Sequence, residues 1–433
     1  MENNTQLKEM IRSMVIDVLQ GQKQDIASSR PVKPVSRNQG EPGVFDTVDE
    51  AIRAAKEAQL RFEDCTLATR EKVIADIRAA MRPRVQELAQ KTVEETGMGR
   101  VADKVLKLNL TLDKTPGVED LITECETGDN GMTLYELSAY GVIGAITPST
   151  NPAETLICNS IGMLAAGNAI FFSVHPGAKN LSRELVSELN QVIAKSIGIE
   201  NLIVTLREPS IESAQEMMLH PDVSLLVVTG GPGVVKQALQ SGKKVIGAGA
   251  GNPPAFVDET ADIKKAAQDI VLGASLDNNI LCIAEKSVVA MHQIEPQLVQ
   301  EMVKAGSVLV DNQQDIQRLV DLTVLPNGTP NKQFVGKNAS VILDAAHISY
   351  NGDPRLIILR TAKDHPFAVI EMLMPILPVI TVDSFEEGLN VCLMLEAGLH
   401  HTATMHSLNM ERLNQMARKM KTSIFVKNGP SYA

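Results

Sequence analysis

The sequence is poor in cysteine, in positive charge and in long apolar runs. Its 433 residues hold 5 cysteines (Cys65, Cys125, Cys158, Cys282 and Cys392), far apart, odd in number and with no CxxC pair. That pattern offers no disulfide framework and points to a reducing, cytosolic compartment. Lys+Arg total 41 against Asp+Glu 52, a net charge of −11. Such a balance argues against a nucleic-acid partner, which would need a basic surface. No run of about 18 uncharged apolar residues occurs, so no membrane-spanning helix is expected. What remains is the composition of a globular, soluble body, 44% hydrophobic and 21% charged, long enough for two or more domains.

The N-terminus differs from that body. In "TQLKEMIRSMVIDVLQ" (5–20), Leu7, Met10, Ile11, Met14, Val15, Val18 and Leu19 fall at helical spacing, interrupted by charges that exclude a secretory signal. Residues 21–43 have few large apolar side chains and three prolines, and read as a flexible linker. A tethered amphipathic helix docks either on its own body or on a partner's helix, and both readings stand at this point. Helical segments run from 44 to about 110. Then "GDNG" (128–131) sits between two candidate strands, a hairpin signal. It is either an oligomer arm or an ordinary edge hairpin.

From 142 the chain alternates. Strands are expected at 142–147, 169–174, 202–206, 223–228 and 244–248, with helices at 153–166, 178–197, 210–219 and 233–240. This alternation predicts an α/β fold with a parallel, doubly wound sheet, whose ligands bind beyond the carboxyl ends of the strands. The loops there are "TPSTNP" (147–152), "SVHPGAK" (173–179), "TGGPG" (229–233) and "GAGAGNPP" (247–254). Glycines in the third allow backbone N–H groups to approach a phosphate, although no GxGxxG is present. Alternation resumes less cleanly from about 255, predicting a second α/β lobe and a cleft between the two.

Cys282 lies in "DNNILCIAEK" (277–286). A free cysteine is more often buried filler than a nucleophile, and composition does not decide between them. His400, His401 and His406 form a histidine-rich stretch without a carboxylate or cysteine to complete a metal set.

Taken together, "ETGMGRVADK" (95–104), "TPGVEDL" (115–121), "TPSTNP", "LAAGNAIFF" (164–172), "GAGAGNPP", "DNNILCIAEK", "EMLMPILPV" (371–379), "GLHHTA" (398–403) and "TSIFVKNGP" (422–430) resemble, in order, the CoA-acylating branch of the aldehyde dehydrogenase superfamily. The likeness is to the propionaldehyde and acetaldehyde dehydrogenases of bacterial microcompartments.

The resemblance implies a dinucleotide lobe (44–123 and 142–254), an oligomerisation hairpin (124–141) and a catalytic lobe (255–433). It implies Cys282 as the nucleophile that attacks an aldehyde, with NAD as hydride acceptor and coenzyme A as acyl acceptor. Asn151 and the Cys282 N–H would face the oxyanion. Glu371 would hold the nicotinamide ribose. Thr147, Pro148, Ser149, Thr150, Ser173, His175, Pro176, Thr229, Gly230, Gly231, Gly233, Val234, Gly247, Ala248 and Gly249 would line the dinucleotide groove.

One departure is informative. Hydrolytic members of the superfamily carry a glutamate where this chain has Ala248. A missing general base, typically worth about 10²–10⁴-fold, favours transfer to a thiol over hydrolysis. The resemblance further implies that residues 1–20 engage microcompartment shell proteins in a bacterial cytoplasm, for propanediol or ethanolamine use, and that the chain forms homo-oligomers. Relatives continue for a few dozen residues past Ala433, so weakened dimerisation and turnover are expected here. Two further readings stay open: a hydrolytic aldehyde dehydrogenase, and a non-catalytic cargo or scaffold protein.

Overall fold

Apolar strands alternating with amphipathic helices build two parallel sheets in the computed structural model, which describes residues 41–433. The expected N-terminal helix (5–20) and nearly all of the expected linker (21–43) lie outside the described residues.

Edge to edge, the first sheet runs through Val44–Phe45, Ile203–Leu206, Ala169–Ser173, Val142–Ile146, Val223–Thr229 and Lys244–Ala248. The chain leaves Val142–Ile146 in one direction through Ala169–Ser173 and Ile203–Leu206, then crosses back to Val223–Thr229 on its other side. That reversal is a topological switch point, the place where open α/β sheets bind ligands. In register, Ile143 pairs with Ile170 on one side and Leu225 on the other. Helices Pro152–Ala165 and Lys179–Ile197 cover the sheet, burying Leu156, Ile157, Ile161, Leu185 and Leu189. Pro152 opens its helix at the first position, where the missing N–H costs nothing.

The second sheet runs through Ser307–Leu309, Leu356–Arg360, Ile376–Val382, Ser287–Met291, Pro254–Val257, Thr402–His406 and Ile424–Lys427, every pairing parallel. Its central strands are buried on both faces, hence their near-continuous apolar sequence. Pro254 pairs with Ser287 in this sheet, so the passage between lobes falls within the glycine-rich stretch before it.

Strands Glu124–Gly128 and Gly131–Tyr135 form a separate antiparallel hairpin, with Gly128 opposite Gly131 across the tight turn that "GDNG" signals. All its strand residues are exposed, including Met132, Leu134 and Tyr135.

Strand Pro254–Val257 carries the glycine-rich stretch into the second lobe, and its Phe256 is fully buried and stacked on Phe385 at 5.7 Å. A methyl group at Gly388 would penetrate the Phe256 ring. Gly388→Ala should therefore lower stability by about 1–3 kcal/mol, the usual cost of overpacking a filled core, read from the urea midpoint.

Candidate active site

Helix Ile263–Ser275 ends in a turn that few sequences could make. Asp277, Asn278 and Asn279 all take left-handed backbone angles, with φ of 50°, 57° and 66°. Asp and Asn tolerate this region better than other side chains because their short polar groups hydrogen-bond locally, yet each such residue still costs about 1 kcal/mol or more. The three side chains repay this through fixed partners. Asn278 Nδ2 donates to Gly336 O at 2.9 Å and Asn338 Oδ1 at 2.8 Å. Asn279 Nδ2 donates to Ala274 O at 2.7 Å and Glu285 O at 3.0 Å. Asp277 accepts from the Arg100 N–H at 2.8 Å, from Lys104 Nζ at 3.0 Å and from Lys107 Nζ at 2.5 Å.

Those two lysines come from helix Val101–Lys114, packed in the core of the first lobe. The Lys104 and Asp277 side chains have no exposure at all, and that of Lys107 has 8%. Burial opposes the charge on Asp277, but the two ammonium groups outweigh it and hold the carboxyl below its ordinary pKa. Burial also opposes the charge on Lys107, which Glu154 and Asp277 sustain. For Lys104, burial and the neighbouring Lys107 win, and its pKa falls.

Lys107 Nζ also donates to Asn151 Oδ1. Asn151 caps helix Pro152–Ala165 after strand Val142–Ile146, and its Nδ2 donates to Thr150 Oγ1 at 3.2 Å. One ammonium thus ties Asn151 of the first lobe to Asp277, five residues before Cys282 in the second.

Cys282 is half-buried in the loop that follows. Burial pushes its thiol up. The Lys286 charge and the N–H groups of Cys282 and Ile283 oppose that shift, and Glu371 adds to it. Lys286 is buried, and its Nζ donates to Asn279 O at 2.7 Å, Asn279 Oδ1 at 2.5 Å and Leu281 O at 2.9 Å. Burial brings its pKa down to about 8, with the acidic neighbours Glu371, Cys282 and Glu285 opposing. Glu371 is half-buried, raised by burial, and accepts from the Gly251 N–H at 3.2 Å. A side chain at Gly251 would collide with Cys282 O and the His401 ring, so glycine is required for this close approach. His401 is held below its ordinary pKa by burial and by Lys286, and its Nδ1 shares a 2.9 Å hydrogen bond with Thr402 Oγ1.

The residues expected to line a dinucleotide groove fall along one edge of the first sheet, at or just beyond strand ends. Thr147 is buried and its hydroxyl has no partner. Pro148, Ser149 and Thr150 are half-buried, Ser173 is buried, and His175 and Pro176 are exposed. Thr229, Gly230 and Val234 are half-buried, while Gly231 and Gly233 lie exposed at the start of helix Pro232–Gln240. Gly247 and Ala248 end the last strand, where Ala248 O accepts from the Gly230 N–H at 3.1 Å, and Gly249 follows, half-buried. The orphaned Thr147 hydroxyl at the switch point, the open glycines at a helix N-terminus and a carboxylate beside Gly251 fit a nicotinamide dinucleotide.

The three histidines do not converge. His400 is exposed with Nδ1 3.1 Å from Lys421 O, while His406 is buried with Nδ1 3.9 Å from Asp269. Among the described residues no group of three or more His, Cys, Asp or Glu could hold a metal. Cys392 is core filling, its thiol pushed far up by burial. Sequence reasoning attached no role to Lys107, Asp277, Lys286 or Gly251. Lys107 and Asp277 are separated by 170 residues, and only folding pairs them.

The sequence profile of the Aldehyde dehydrogenase family matches residues 21–432. The chain belongs to the aldehyde dehydrogenase family. It is 49% identical over 432 residues to the propanal dehydrogenase (CoA-propanoylating) of Salmonella typhimurium, covering 100% of this chain and 90% of that relative. Its fold matches the crystal structure of Rhodopseudomonas palustris propionaldehyde dehydrogenase with bound CoA and an acylated cysteine, with a TM-score of 0.88 and 46% identity, covering 90% of this chain and 89% of the other. A propionaldehyde dehydrogenase from the Clostridium phytofermentans fucose utilisation bacterial microcompartment matches with a TM-score of 0.88, 46% identity and 90% of each chain covered.

In this aldehyde dehydrogenase the Asp277 carboxylate is the hub between lobes. Asp277→Asn leaves two buried ammonium groups short of a counter-charge and should cost about 3–5 kcal/mol. Because the Asp277 pKa is depressed on folding, its contribution is present above about pH 4 and is lost as the pH falls further. Urea titrations of both proteins at pH 7 and at about pH 3, below the ordinary aspartate value, check this: the gap narrows at the lower pH.

Proposed function

We propose that the chain oxidises a short aldehyde, propionaldehyde before acetaldehyde, and passes the acyl group to coenzyme A with NAD as oxidant. The observation that carries this reading is the composition of the wall behind Cys282. The stretch 247–254 approaches the nucleophile loop with backbone only, at Gly251, and offers no carboxylate. Glu285 is turned away and bound by the Ser431 N–H and hydroxyl, each at 2.8 Å. Glu371 is engaged by the Gly251 N–H.

The residues divide the chemistry as follows. Thr147, Ser173, the 229–234 turn and Glu371 would hold the dinucleotide. When bound, NAD supplies the acceptor for hydride. Cys282 Sγ, as thiolate, attacks the aldehyde carbon, and the oxygen gains charge facing the Cys282 N–H and Asn151 Nδ2. Lys107 occupies Asn151 Oδ1 and Thr150 Oγ1 takes one N–H of Nδ2, which leaves the amide's second N–H for that oxygen. Loss of hydride from the carbon leaves a thioester on Cys282. The coenzyme A sulfur then attacks the thioester carbonyl, and Cys282 departs as thiolate. His401 is neutral at pH 7, since burial lowers its pKa, and can accept the thiol proton of coenzyme A.

The domain reading follows from these roles: 44–123 with 142–254 binds dinucleotide, and 255–433 carries the nucleophile. Hairpin 124–141, with its exposed apolar side chains, serves as an oligomer arm. The relative from a microcompartment, together with the amphipathic pattern of residues 5–20, supports residence inside such a compartment in a bacterial cytoplasm, docked on shell proteins. One observation favours a hydrolytic alternative: Glu371 raises the Cys282 thiol pKa, so a carboxylate stands within electrostatic reach of the sulfur.

NADH formation from propionaldehyde and NAD, with and without coenzyme A, separates the readings. The expected result is turnover that depends on coenzyme A. Equal turnover without it would support hydrolysis, and silence in both arms a non-catalytic role. Cys282→Ala should abolish turnover and leave NAD affinity unchanged, measured by calorimetry. Glu371→Gln should raise KM for NAD by about tenfold, the worth of one charge-assisted hydrogen bond. Because His401 is held below its usual pKa, the acyl-transfer rate should stay level down to about pH 6.5 and decline only below it, as a stopped-flow pH series would show.

A further inference from the structure

Lys286 lies outside the mechanism above, yet every donor on it is committed. Its three N–H bonds meet Asn279 O, Asn279 Oδ1 and Leu281 O at 2.7, 2.5 and 2.9 Å, which saturates an ammonium group. Its own backbone N–H donates to Pro253 O at 2.8 Å, anchoring it to the glycine-rich stretch that passes Cys282. Burying an ammonium group costs several kcal/mol unless polar groups replace its water. Here the replacements are the oxygens of the nucleophile loop.

The Leu281 carbonyl is the informative partner. It belongs to the same peptide unit as the Cys282 N–H. A peptide unit is planar and trans, so its C=O and N–H point in opposite directions. A cation on the Leu281 oxygen side therefore sends the Cys282 N–H the other way. The Ala284 N–H, 3.1 Å from the same oxygen, closes the turn but brings no charge. A charged donor on the carbonyl also withdraws electron density from the linked N–H and strengthens it as a donor. The loop begins in three left-handed residues, so its path is imposed by partners and not by local preference. The charged and titratable groups facing Lys286 are Glu371, Cys282, Glu285 and His401.

We propose that Lys286 is a positioning residue of the oxyanion site: its ammonium group fixes and polarises the Leu281–Cys282 peptide, directing the Cys282 N–H toward the reacting oxygen. This rests on Cys282 being the nucleophile. In the same way Lys107 holds the Oδ1 end of Asn151, so each oxyanion donor has a buried lysine behind it.

The test compares the parent protein with Lys286→Met and Lys286→Gln. Two readouts are used: the first-turnover burst of NADH from propionaldehyde, and the pH dependence of iodoacetamide alkylation at Cys282. Alkylation is followed by peptide mass spectrometry, because Cys125 and Cys158 are also exposed. In Lys286→Met the burst should fall by about tenfold or more, below the 10²–10³ typical for outright loss of an oxyanion donor. KM for NAD should be unchanged, and the alkylation midpoint should move to higher pH. A burst within about threefold of the parent, against a predicted loss of tenfold, or an unmoved midpoint would overturn the proposal. If Lys286→Met does not fold, Lys286→Gln decides: it lacks the charge, and a midpoint equal to the parent's would overturn the proposal. Alkylation needs no turnover, so a parent without NADH formation would sink the proposed function while the role of Lys286 is still decided.

Discussion

A single carboxylate set between two buried ammonium groups holds the two lobes in one frame. Asp277 comes from the nucleophile loop, and Lys104 and Lys107 from a helix of the other lobe. Ions this deep are unfavourable unless each finds a partner, so the cluster forms only when both lobes are in place. Its geometry propagates outward. Lys107 reaches Asn151, Lys104 reaches Thr150 O at 3.1 Å, and Asp103 binds Arg355 at 2.9 Å and the Asp277 N–H at 3.0 Å. An amide at a strand end and a cysteine in a distant loop thereby share one reference point.

The second constraint is the left-handed run that aims the cysteine. Three polar side chains spend their hydrogen bonds on holding the turn, and a buried lysine holds the backbone beyond it. The sulfur then sits half-exposed with N–H groups beside it, while burial keeps the thiol protonated more than usual. Such a site favours an acyl group that waits on sulfur. With Ala248 where hydrolytic members carry a glutamate, and glycine backbone at Gly251 passing beside Cys282, the better acceptor is a thiol, which needs less activation than water.

Much of the first lobe was legible in the sequence because its strands and helices alternate with little interruption. The helix expected at 178–197 forms at Lys179–Ile197, and the strand expected at 223–228 at Val223–Thr229. The loops at the strand ends were legible for the same reason, since they share an edge by topology, whereas the dinucleotide role of their residues came from the family likeness. The second lobe was less clear, since long irregular stretches separate strands such as Ser307–Leu309 and Leu356–Arg360. At the site, the roles of Cys282, Asn151 and Glu371 came only from family likeness. Lys107, Asp277 and Lys286 were silent. A buried lysine looks like a surface lysine in sequence, and its partners are set by folding alone.

The most direct test of the account is the state of Cys282 after one turnover. The protein is mixed with NAD and propionaldehyde without coenzyme A, then digested and weighed by mass spectrometry. The account predicts that the peptide bearing Cys282 gains one propionyl group, that this adduct persists in water, and that added coenzyme A removes it as propionyl-CoA. An unmodified Cys282 after NADH has formed, or an adduct lost as propionate at the same rate with and without coenzyme A, would contradict it.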